Sequence, residues 1–333
     1  MIQGAAFIDR SDARGRITVA GADRRSYLQG LLTNDVASLE PGRGCYAAYL
    51  TAQGRMIADA YVYELGDVIL LSVARAAKDM VLAKFDQFIF SEDVQLGDVT
   101  DTFAQIAVIG SGAAGALAGV LSAAIGSLDA LPEHGSMRTT TADGAAAIVT
   151  RITDAGADGY DVYVERAAAG PLIASLTAYG ARALDPASAD ALRIEAGVPL
   201  FGRDMDEETI PLEAGIESRA ISFTKGCYVG QEVIIRVTHR GHGRVARRLV
   251  GLRIGGDDVP ADRTPIRSGD RDIGHVTSAA FSPSQKAAIA LGYVHRDFVE
   301  PGTAVTIDGR AAEVVRLPIA SESAPRPRAE TPA

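Results

Sequence analysis

The last third of the chain constrains the fold most strongly, because it consists of short apolar segments separated by turns. Gly, Pro and Asp residues divide it into strand-like runs, which read RRLVGLRI, DIGHVTSAA, AAIALGYV, AVTIDG and AAEVVRL. Regularly spaced short strands without a helix are typical of a small antiparallel barrel. The sequence therefore predicts a separate C-terminal barrel over residues 244–318. The Pro- and Ser-rich residues 319–333 are predicted to form a disordered tail.

The first 243 residues have a different pattern, in which strand-like and helix-like segments alternate. Residues 44–73 contain three strand-like runs that are broken at the dipeptides QG and GD, which suit hairpin turns. A helix is predicted in LDPASADALRIEAG, where Asp185 can cap the first turn, Pro186 fits that turn and Gly197 can end the helix. This part of the chain is expected to combine antiparallel sheets with helices.

The composition limits the classes of function. The 333 residues are 47% hydrophobic and 23% charged, as in ordinary globular proteins. The formal net charge of −9 argues against nucleic-acid binding driven by bulk charge. The two cysteines form no CxxC pair, and the N-terminus lacks the apolar segment of a signal peptide. No segment has the large aliphatic residues of a membrane span, so we expect a cytoplasmic protein without a membrane partner.

One of the two cysteines, Cys227, lies in FTKGCYVGQEVIIRVTHRG between glycines and two residues after Lys225. The glycines allow a ligand to approach the backbone closely, and a nearby positive charge favours the thiolate form. A thiolate is a nucleophile and a ligand for iron. A single cysteine is too few for a complete cluster site, so a cluster would need ligands from a partner. Alternatively, Cys227 is a small apolar residue in a turn.

A group of basic residues follows this cysteine in an otherwise acidic chain. It comprises Arg236, His239, Arg240, His242, Arg244, Arg247 and Arg248. Such a patch can receive a polyanion, for example phosphate, a polyglutamate tail or an RNA backbone. Equally, it can be a solvated strand and loop whose charges pair with the surplus carboxylates of the chain. Nucleic acid is not an expected partner, although the Arg236–Arg248 patch leaves contact with tRNA open.

Three acidic residues interrupt apolar segments: Asp59 in QGRMIADAYVY, Asp161 in GYDVYV and Glu195 in LRIEAGVPL. A carboxylate in such a setting is costly unless it is partnered or functional. If the three face one cavity, they can hold a ring rich in N–H donors, such as a pterin; otherwise each lies on a half-exposed face. The histidines lack metal-ligand spacing, and neither GxSxG nor a Walker loop is present, so no metal site is predicted.

The string KGCYVGQE at residues 225–232 resembles the hallmark of the YgfZ family, folate-binding relatives of the glycine-cleavage T-protein. Further segments are similar to motifs of the T-protein superfamily, namely GADRRSYLQGLLTNDVASLEPG, QGRMIADAYVY and LRIEAGVPLFGRDMDEETIPLEAG. The resemblance covers most of the chain. It implies an α+β, three-lobed GcvT-like fold around a folate channel. In this fold residues 1–243 form two intertwined lobes, with a middle lobe near residues 45–140, and the barrel follows.

The resemblance also implies roles for individual residues. Asp59 falls where the T-protein has the aspartate that meets the folate, and Asp161 falls where it has a glutamate that binds the pterin. Cys227 and Lys225 are implied as the reactive pair. The other residues implied in cofactor binding are Arg193, Glu195, Tyr228, Gly230, Gln231 and Glu232. Ala58 replaces one of two paired acidic residues of the T-protein motif, which argues against aminomethyl transfer.

The function implied by the YgfZ resemblance is that of a folate-binding accessory protein for iron–sulfur cluster biogenesis or repair, which supports enzymes such as a tRNA methylthiotransferase. Its cofactor would be tetrahydrofolate or a derivative. Cys227 would ligate a transient iron–sulfur cluster shared with an iron–sulfur carrier or client enzyme. The alternative is a tetrahydrofolate-dependent aminomethyltransferase, in which Asp59 positions the substrate and Cys227 is incidental.

Overall fold

The computed structural model of the protein describes residues 2–240 and 243–319, and the predicted tail beyond residue 319 lies outside them. Its strands are β1 Ala6–Asp9, β2 Arg14–Ala20, β3 Arg43–Leu50, β4 Met56–Glu64, β5 Ile69–Ala74, β6 Gln95–Asp98, β7 Phe103–Ile109, β8 Ser136–Thr140, β9 Ala146–Ile152, β10 Gly159–Glu165, β11 Arg182–Ala183, β12 Arg247–Ile254, β13 Pro265–Ser268, β14 Arg271–Ser282, β15 Ala287–His295, β16 Ala304–Ile307 and β17 Arg310–Val315. Its α-helices are α1 Arg24–Leu31, α2 Lys78–Asp86, α3 Ala113–Val120, α4 Ile125–Asp129, α5 Arg166–Ala178, α6 Pro186–Ala196, α7 Pro211–Ala214, α8 Glu217–Ala220 and α9 Gln231–Ile235. Two 3₁₀-helices, Arg75–Ala77 and Arg296–Phe298, and a π-helix, Arg236–Arg240, complete the helical segments of the described residues.

The first sheet contains β3, β4, β5, β2 and β6 in that order, and all neighbouring strands are antiparallel. Strand β4 is buried along its whole length, so both of its faces are covered. On one face Ala58, Ala60 and Val62 pack into an apolar core together with α1 and α2. Because side chains alternate along a strand, Asp59 and Tyr61 point to the other face, which the second sheet covers.

The second sheet contains β11, β1, β7, β10, β9 and β8 in that order. Strands β1 and β11 are parallel, and the other neighbours are antiparallel. Tyr160 and Val162 of β10 pack into a core with α3 and α5. Asp161 and Tyr163 alternate with them and point toward the first sheet, where the Tyr163 ring centroid lies 6.3 Å from that of Tyr63. The two sheets therefore enclose a space between their facing sides.

The chain passes between these two sheets twice. Strand β1 belongs to the second sheet and β2 to the first, so residues 10–13 cross from one to the other. Residues 99–102 cross back between β6 and β7. The predicted boundaries at 243/244 and 318/319, and the predicted middle lobe near residues 45–140, stay predictions.

Strands β12 to β17 form a closed barrel in the order β12, β15, β14, β13, β16, β17. Every neighbouring pair in it is antiparallel. The predicted C-terminal antiparallel barrel and the α+β class with antiparallel sheets are therefore confirmed. The barrel is visible in the sequence because its strands alternate exposed and buried residues, as β16 does at each of its positions.

Helix α6 connects the N-terminal region to the barrel, and it begins and ends as the sequence predicts. The Asp185 side chain accepts a hydrogen bond of 2.9 Å from the backbone N–H of Ser188. Pro186 occupies the first turn, and Gly197 ends the helix in the left-handed region with φ 71°. Apolar residues of α6 pack against β14 and β15 of the barrel. Across residues 2–240 and 243–319, helices with both the length and the apolar character needed to cross a membrane are absent.

Candidate functional site

A group of buried charged residues lies between the two sheets, and we call it the buried carboxylate centre. It consists of Asp59 on β4, Asp161 on β10, Asp154 just after β9, and the arginines Arg10 and Arg14. Asp59, Asp161 and Asp154 are 3%, 2% and 6% exposed, respectively. Carboxylates buried to this extent are costly unless they have partners. The structure therefore brings the predicted residues Asp59 and Asp161 into one charged group.

Arg10 joins two of these carboxylates. Its Nη2 donates to Asp154 Oδ2 at 2.6 Å, and its Nη1 donates to Asp161 Oδ2 at 3.2 Å. Burial acts to raise the pKa of Asp154, but the charge of Arg10, its hydrogen bond and the charge of Arg14 together outweigh burial, and the pKa is lowered. Burial raises the pKa of Asp161; Arg10 opposes this rise, and the charge of Asp154 adds to it. Asp154 therefore ionises more readily than Asp161.

A chain of hydrogen bonds links Asp161 to Arg14 across the space between the sheets. Gln105 Nε2 donates to Asp161 Oδ2 at 2.7 Å, and Ser72 Oγ donates to Gln105 Oε1 at 3.2 Å. Arg14 Nε donates to Ser72 Oγ at 3.1 Å, and Arg14 Nη2 donates to the Ser72 carbonyl at 2.6 Å. This series of hydrogen bonds runs from β10 and β7 to β5 and β2, so it fixes the facing sides of the two sheets relative to each other.

Asp59 has one partnered and one unpartnered oxygen. Tyr46 Oη donates to Asp59 Oδ2 at 2.9 Å. Asp59 Oδ1 is buried, and the described residues provide no hydrogen-bond partner for it. Burial raises the pKa of Asp59, while the charge of Arg14 and the hydrogen bond from Tyr46 oppose the rise. A buried carboxyl group with a raised pKa and an open oxygen meets the requirements of general acid–base chemistry.

The neighbouring position 58 does not face this centre. Ala58 is 1% exposed and packs with Ala60 and Val62 in the core on the opposite face of β4. An acidic side chain at position 58 would therefore point into that core and away from Asp59. The departure from the T-protein motif at Ala58 removes no group from the buried carboxylate centre.

Aromatic rings form the side of the centre that lies on β3 and β4. The ring centroids of Tyr46 and Tyr61 are 4.9 Å apart, and those of Tyr61 and His134 are 5.7 Å apart. The guanidinium of Arg14 lies 5.2 Å from the Tyr61 centroid, and that of Arg219 lies 5.4 Å from the Tyr46 centroid. Flat rings flanked by cations favour a flat ligand with polar edges.

A cavity of about 840 Å³ lies beside the buried carboxylate centre. Arg10, Arg14 and Asp154 line one side of it, and residues of α6 together with Phe201 line the other. Ligand pockets in proteins have volumes of about 300–1,000 Å³. Arg10, Arg14 and Asp154 therefore border a space large enough for an organic ligand, whereas Asp59 and Asp161 are not among the residues that line it.

Arg193, a predicted cofactor-binding residue, lines this cavity but uses its guanidinium within the protein. Its Nη1 donates to Asp204 Oδ2 at 2.7 Å, and its Nη2 donates to Ser278 Oγ of β14 at 2.9 Å. Its Nε donates to Asp190 Oδ1 at 2.8 Å. Arg193 therefore fastens α6 to the barrel.

Glu195, also predicted to bind the cofactor, points to the barrel. It accepts hydrogen bonds from the hydroxyl groups of Ser282 and Ser284, the latter at 2.8 Å. It lines a separate space between α6 and the barrel. The structure therefore does not bring Glu195 together with Asp59 and Asp161.

Lys225 ties the loop that follows α8 to the end of α1. Its Nζ donates to the carbonyl oxygens of Gln29, Leu32 and Asn34 at 2.6, 2.6 and 3.0 Å. The last carbonyl groups of a helix lack intrahelical partners, and a lysine side chain can satisfy them. Burial lowers the pKa of Lys225 to about 8. The contacts of this ammonium group are structural.

The two thiols have different surroundings. Cys227 is exposed, whereas Cys45 on β3 is partly buried. Burial raises the pKa of Cys45 to about 12, against the charge of Lys225. The charge of Lys225 thus acts to lower the pKa of Cys45, and the hydrogen bonds of the Lys225 ammonium group go to the end of α1. The reactive role of the Cys227 and Lys225 pair stays a prediction.

The rest of the KGCYVGQE segment lies against the hairpin between β3 and β4. Tyr228 is 7% exposed and packs in the core on the inner side of the first sheet. Gly230 has φ +87°, and a Cβ atom there would lie 2.5 Å from the Thr51 carbonyl oxygen, so only glycine fits. Gln231 and Glu232 begin α9. The binding roles predicted for these four residues stay predictions.

The basic residues between 236 and 248 are partly neutralised. Two of them form ion pairs with carboxylates of α7 and α8, namely Arg247 with Glu213 at 3.3 Å and Arg248 with Glu217 at 2.9 Å. Arg236 and Arg244 are exposed, and His242 lies outside the described residues. For Arg247 and Arg248, the alternative of pairing with surplus carboxylates is confirmed. Contact with tRNA stays a prediction.

Sequence reasoning missed Arg10, Arg14 and Asp154. Arg10 and Asp154 are 144 residues apart, so no local pattern connects them. The signal that could have indicated these three residues is that each of them lies at the end of an apolar strand or just beside it. DRSDARGR lies between two apolar strands, and Asp154 follows the apolar strand AAIVTRI.

Comparison with known proteins supports this architecture. The model of the GCVT N-terminal domain matches residues 1–225, and the model of the glycine cleavage T-protein C-terminal barrel domain matches residues 247–320. Glycine cleavage system aminomethyltransferase T from Bartonella henselae superimposes with a TM-score of 0.84 at 22% identity, covering 96% of this chain and 87% of that chain. The GcvT-like fold is therefore shared.

Two curated relatives are similar in sequence along most of the chain. An aminomethyltransferase of Rubrobacter xylanophilus is 34% identical over 306 residues, which cover 91% of this chain and 80% of that protein. An aminomethyltransferase of Streptomyces avermitilis is 35% identical over 315 residues, which cover 91% of this chain and 83% of that protein.

These relatives overturn the first functional prediction. An accessory role in iron–sulfur cluster assembly is wrong as the main function, because the matching relatives are aminomethyltransferases. The predicted shared iron–sulfur cluster and the predicted carrier or client partners find no support in them. Within the described part of the chain, no three or more His, Cys, Asp or Glu side chains are grouped to hold a metal ion. The two domain matches and the relatives above 30% identity show that the chain belongs to the glycine cleavage T-protein family.

Proposed function

We propose that the protein is a tetrahydrofolate-dependent aminomethyltransferase. The observation that carries this proposal is Asp59, a buried carboxyl group whose Oδ1 has no partner among the described residues. By the sequence resemblance, Asp59 falls where the T-protein has the aspartate that meets the folate. The relatives named aminomethyltransferase support the reaction class.

The residues around Asp59 fit a folate. A reduced pterin carries several N–H donors at its edge, and Asp59 Oδ1 is an acceptor without a donor. Asp161 supplies a second buried carboxyl group, and Tyr46 and Tyr61 supply flat faces. The adjoining cavity of about 840 Å³ has room for the rest of the ligand. Tetrahydrofolate, when bound, supplies the amine nitrogens that accept the one-carbon unit.

Asp59 is suited to hold and move a proton at Oδ1. Tyr46 donates its hydroxyl proton to Oδ2, so Oδ2 is already committed as an acceptor. A proton on the carboxyl group therefore resides on Oδ1, and burial stabilises this protonated form by raising the pKa. Arg14 opposes the rise, which keeps the ionised form accessible. Asp59 can thus exchange a proton with a nitrogen of the ligand.

Asp161 has a different role, because Arg10 and Gln105 hold its carboxylate in place. Arg10 and Gln105 donate to its carboxylate, and Arg10 is itself held by Asp154. A carboxylate fixed by two donors orients a ligand better than it moves a proton. We assign Asp161 to binding and Asp59 to proton transfer.

The test measures formation of methylene-tetrahydrofolate from tetrahydrofolate and an aminomethylated lipoyl carrier protein. We expect the wild-type protein to form it, and Asp59→Asn to lower kcat by about 10²–10⁴-fold, the usual contribution of a general acid or base. Asp272→Asn, which changes an exposed carboxylate of the barrel, is the matched control and should retain full activity.

Three results would contradict the proposal, or a part of it, in different ways. Tetrahydrofolate binding without product, seen by calorimetry, would mean that the protein binds folate without catalysis. Absence of binding would remove both the cofactor and the reaction. Equal activity of Asp59→Asn and the wild type would remove the role of Asp59 alone.

The KGCYVGQE segment supports a narrower proposal, which concerns the branch of the family to which the chain belongs. We infer that the chain belongs to the YgfZ-like branch of the family, on the resemblance of residues 225–232. Lys225 and Gly230 have structural contacts in this segment, and the reaction proposed above does not use the thiol of Cys227. Cys227→Ser should therefore retain activity in the same assay, and a loss would show that the thiol takes part.

A further inference from the structure

A second cavity, of about 300 Å³, lies between the two sheets at a place that the proposed function does not use. Residues of both sheets line it, among them Arg16 and Leu70 from the first sheet and Ala147 and Tyr163 from the second. It shares no lining residue with the larger cavity beside the buried carboxylate centre. We call it the Arg16 cavity.

Arg16 is an unusual residue to find in the wall of such a cavity. It is 0% exposed, and it is the largest fully buried side chain of the described residues. Its Nη2 donates to the carbonyl oxygens of Ser11 and Thr100, at 2.9 Å and 2.5 Å. Its Nε and Nη1 have no partner among the described residues. A buried guanidinium with unused N–H groups is costly, so the fold retains it at the expense of stability.

Two hydroxyl groups in the same wall are also unpartnered. Tyr163 Oη and Thr139 Oγ1 are buried without a hydrogen-bond partner in the part of the chain that the structure describes. Both residues line the Arg16 cavity. Three side chains with unused donors therefore surround one space, and each of them can donate to an oxygen of a ligand.

The local charge favours an anion. Burial lowers the pKa of Arg16, and the positive charges of Arg166 and Arg75 act in the same direction. Arg166 and Arg75 pair with Asp12 and Asp101, whereas Arg16 has no carboxylate partner among the described residues. A negative group in the cavity would therefore offset the charge of Arg16. The rest of the wall contains Thr18 and Arg138, which pairs with Asp67, and is otherwise apolar, with residues such as Leu70, Phe103 and Ile148.

We propose that the Arg16 cavity binds a small amphipathic carboxylate. Its carboxylate accepts from Arg16, Tyr163 and Thr139, and its apolar body lies against Leu70 and Phe103. The volume of about 300 Å³ is at the lower end of ligand pockets, so the ligand is a small organic acid. This site is separate from the proposed folate site and does not depend on the proposed function.

The experiment compares carboxylate probes with neutral molecules of the same shape. Hexanoate and benzoate are titrated into the full-length protein by calorimetry, with hexanol and benzamide as their neutral counterparts. We expect the carboxylates to bind at least about tenfold more tightly, because a hydrogen bond to a charged group contributes more than one between neutral groups. Equal affinity for acid and neutral probe, or no binding of either, would overturn the proposal.

Three variants locate the site. Arg16→Gln keeps an amide donor for the two carbonyl groups but removes the charge, and it should weaken hexanoate binding at least about tenfold. Tyr163→Phe removes a single donor and should weaken it by a smaller factor. Val68→Phe fills the cavity without changing any charge and should abolish binding of hexanoate.

The remaining outcomes also decide the matter. If Arg16→Gln does not fold, unchanged hexanoate affinity in both Tyr163→Phe and Val68→Phe overturns the proposal. If tetrahydrofolate displaces hexanoate, the cavity belongs to the folate site and a separate site is excluded. A melting temperature of ligand-free Arg16→Gln at or above that of the wild type supports a binding role, because removing an arginine that stabilises the fold would lower the melting temperature.

Discussion

The buried carboxylate centre and the KGCYVGQE segment hold the residues that the sequence marks most clearly, and their surroundings are opposite. In the centre, Asp59 is 3% exposed and keeps Oδ1 without a partner among the described residues. In the segment, Cys227 is exposed and Lys225 donates to three carbonyl groups. An unpartnered buried group lowers stability, so it persists only where other interactions compensate for it. We therefore base the proposed function on the buried, unpartnered carboxyl group and not on the distinctive string of residues.

The largest effect should come from removing Arg10, the arginine that joins Asp154 and Asp161 in the buried carboxylate centre. Arg10→Met leaves Asp154 and Asp161 buried without it, and we expect the free energy of unfolding to fall by about 3–5 kcal/mol at neutral pH. Urea unfolding followed by circular dichroism measures this change. Arg75→Met is the matched control, because Arg75 pairs with Asp101, whose side chain is 80% exposed. Such a surface pair contributes about 1 kcal/mol or less. An equal fall in the free energy of unfolding of both variants would show that the buried cation stabilises the protein no more than the exposed one.

Lys225→Met tests the structural role of the segment. It removes the donor to three carbonyl groups in the last turn of α1 and just after it, and we expect a loss of about 2 kcal/mol in the free energy of unfolding. Cys227→Ser, two residues away, should change that free energy by less than about 0.5 kcal/mol, as is usual for an exposed position. If the two variants were equally destabilised, the thiol would have a structural role that the structure does not explain.

Asp59→Asn should raise stability at neutral pH by about 1 kcal/mol, because the amide removes a buried charge and still accepts from Tyr46. The sign follows from the raised pKa of Asp59. Between the ordinary carboxyl pKa and the raised one, the folded protein binds more protons than the unfolded chain, so wild-type stability falls as pH rises. The advantage of Asp59→Asn should therefore grow over that interval and vanish below it.

Melting temperatures measured against pH test this prediction. Asp185→Asn is the control of opposite sign, because hydrogen bonds from Ser188 lower the pKa of Asp185. It should give no gain at neutral pH. A gain from Asp185→Asn equal to that from Asp59→Asn would mean that the gain is unrelated to burial.

The smallest effect concerns the two thiols. Iodoacetamide reacts with thiolates, and burial raises the pKa of Cys45 to about 12, so Cys45 should resist the reagent in the folded protein. Cys227 is exposed and should react. Intact-mass spectrometry should show a single adduct in buffer and a second one only in urea. A second adduct in buffer would show that Cys45 is accessible.

Features set by local chemistry were predictable from the sequence. The ends of α6 follow from Asp185, Pro186 and Gly197, whose conformational preferences act within one turn. The barrel follows from alternating burial in short strands between turn residues. The place of Asp59 and Asp161 in one site followed from the family resemblance, and the alternation along β4 and β10 explains it physically.

Features set by distant contacts were not predictable. Arg10 meets Asp154 because the chain crosses between the sheets at residues 10–13, and nothing near either residue indicates the partner. Glu195 interrupts an apolar segment just as Asp59 does, yet it faces the barrel. The rotation of α6 about its axis is set by packing against β14 and β15, which the helical pattern alone does not specify.

The fastening of α6 to the barrel has a consequence for protein engineering. Arg193 and Glu195 hold the helix through Ser278, Ser282 and Ser284, and the same helix forms a wall of the cavity beside the buried carboxylate centre. A chimera that joins the barrel of one family member to the N-terminal region of another would pair α6 with unfamiliar strands. The pocket wall would then shift although no residue in contact with the ligand had changed. Recombination that transfers α6 together with its own barrel should keep the pocket intact.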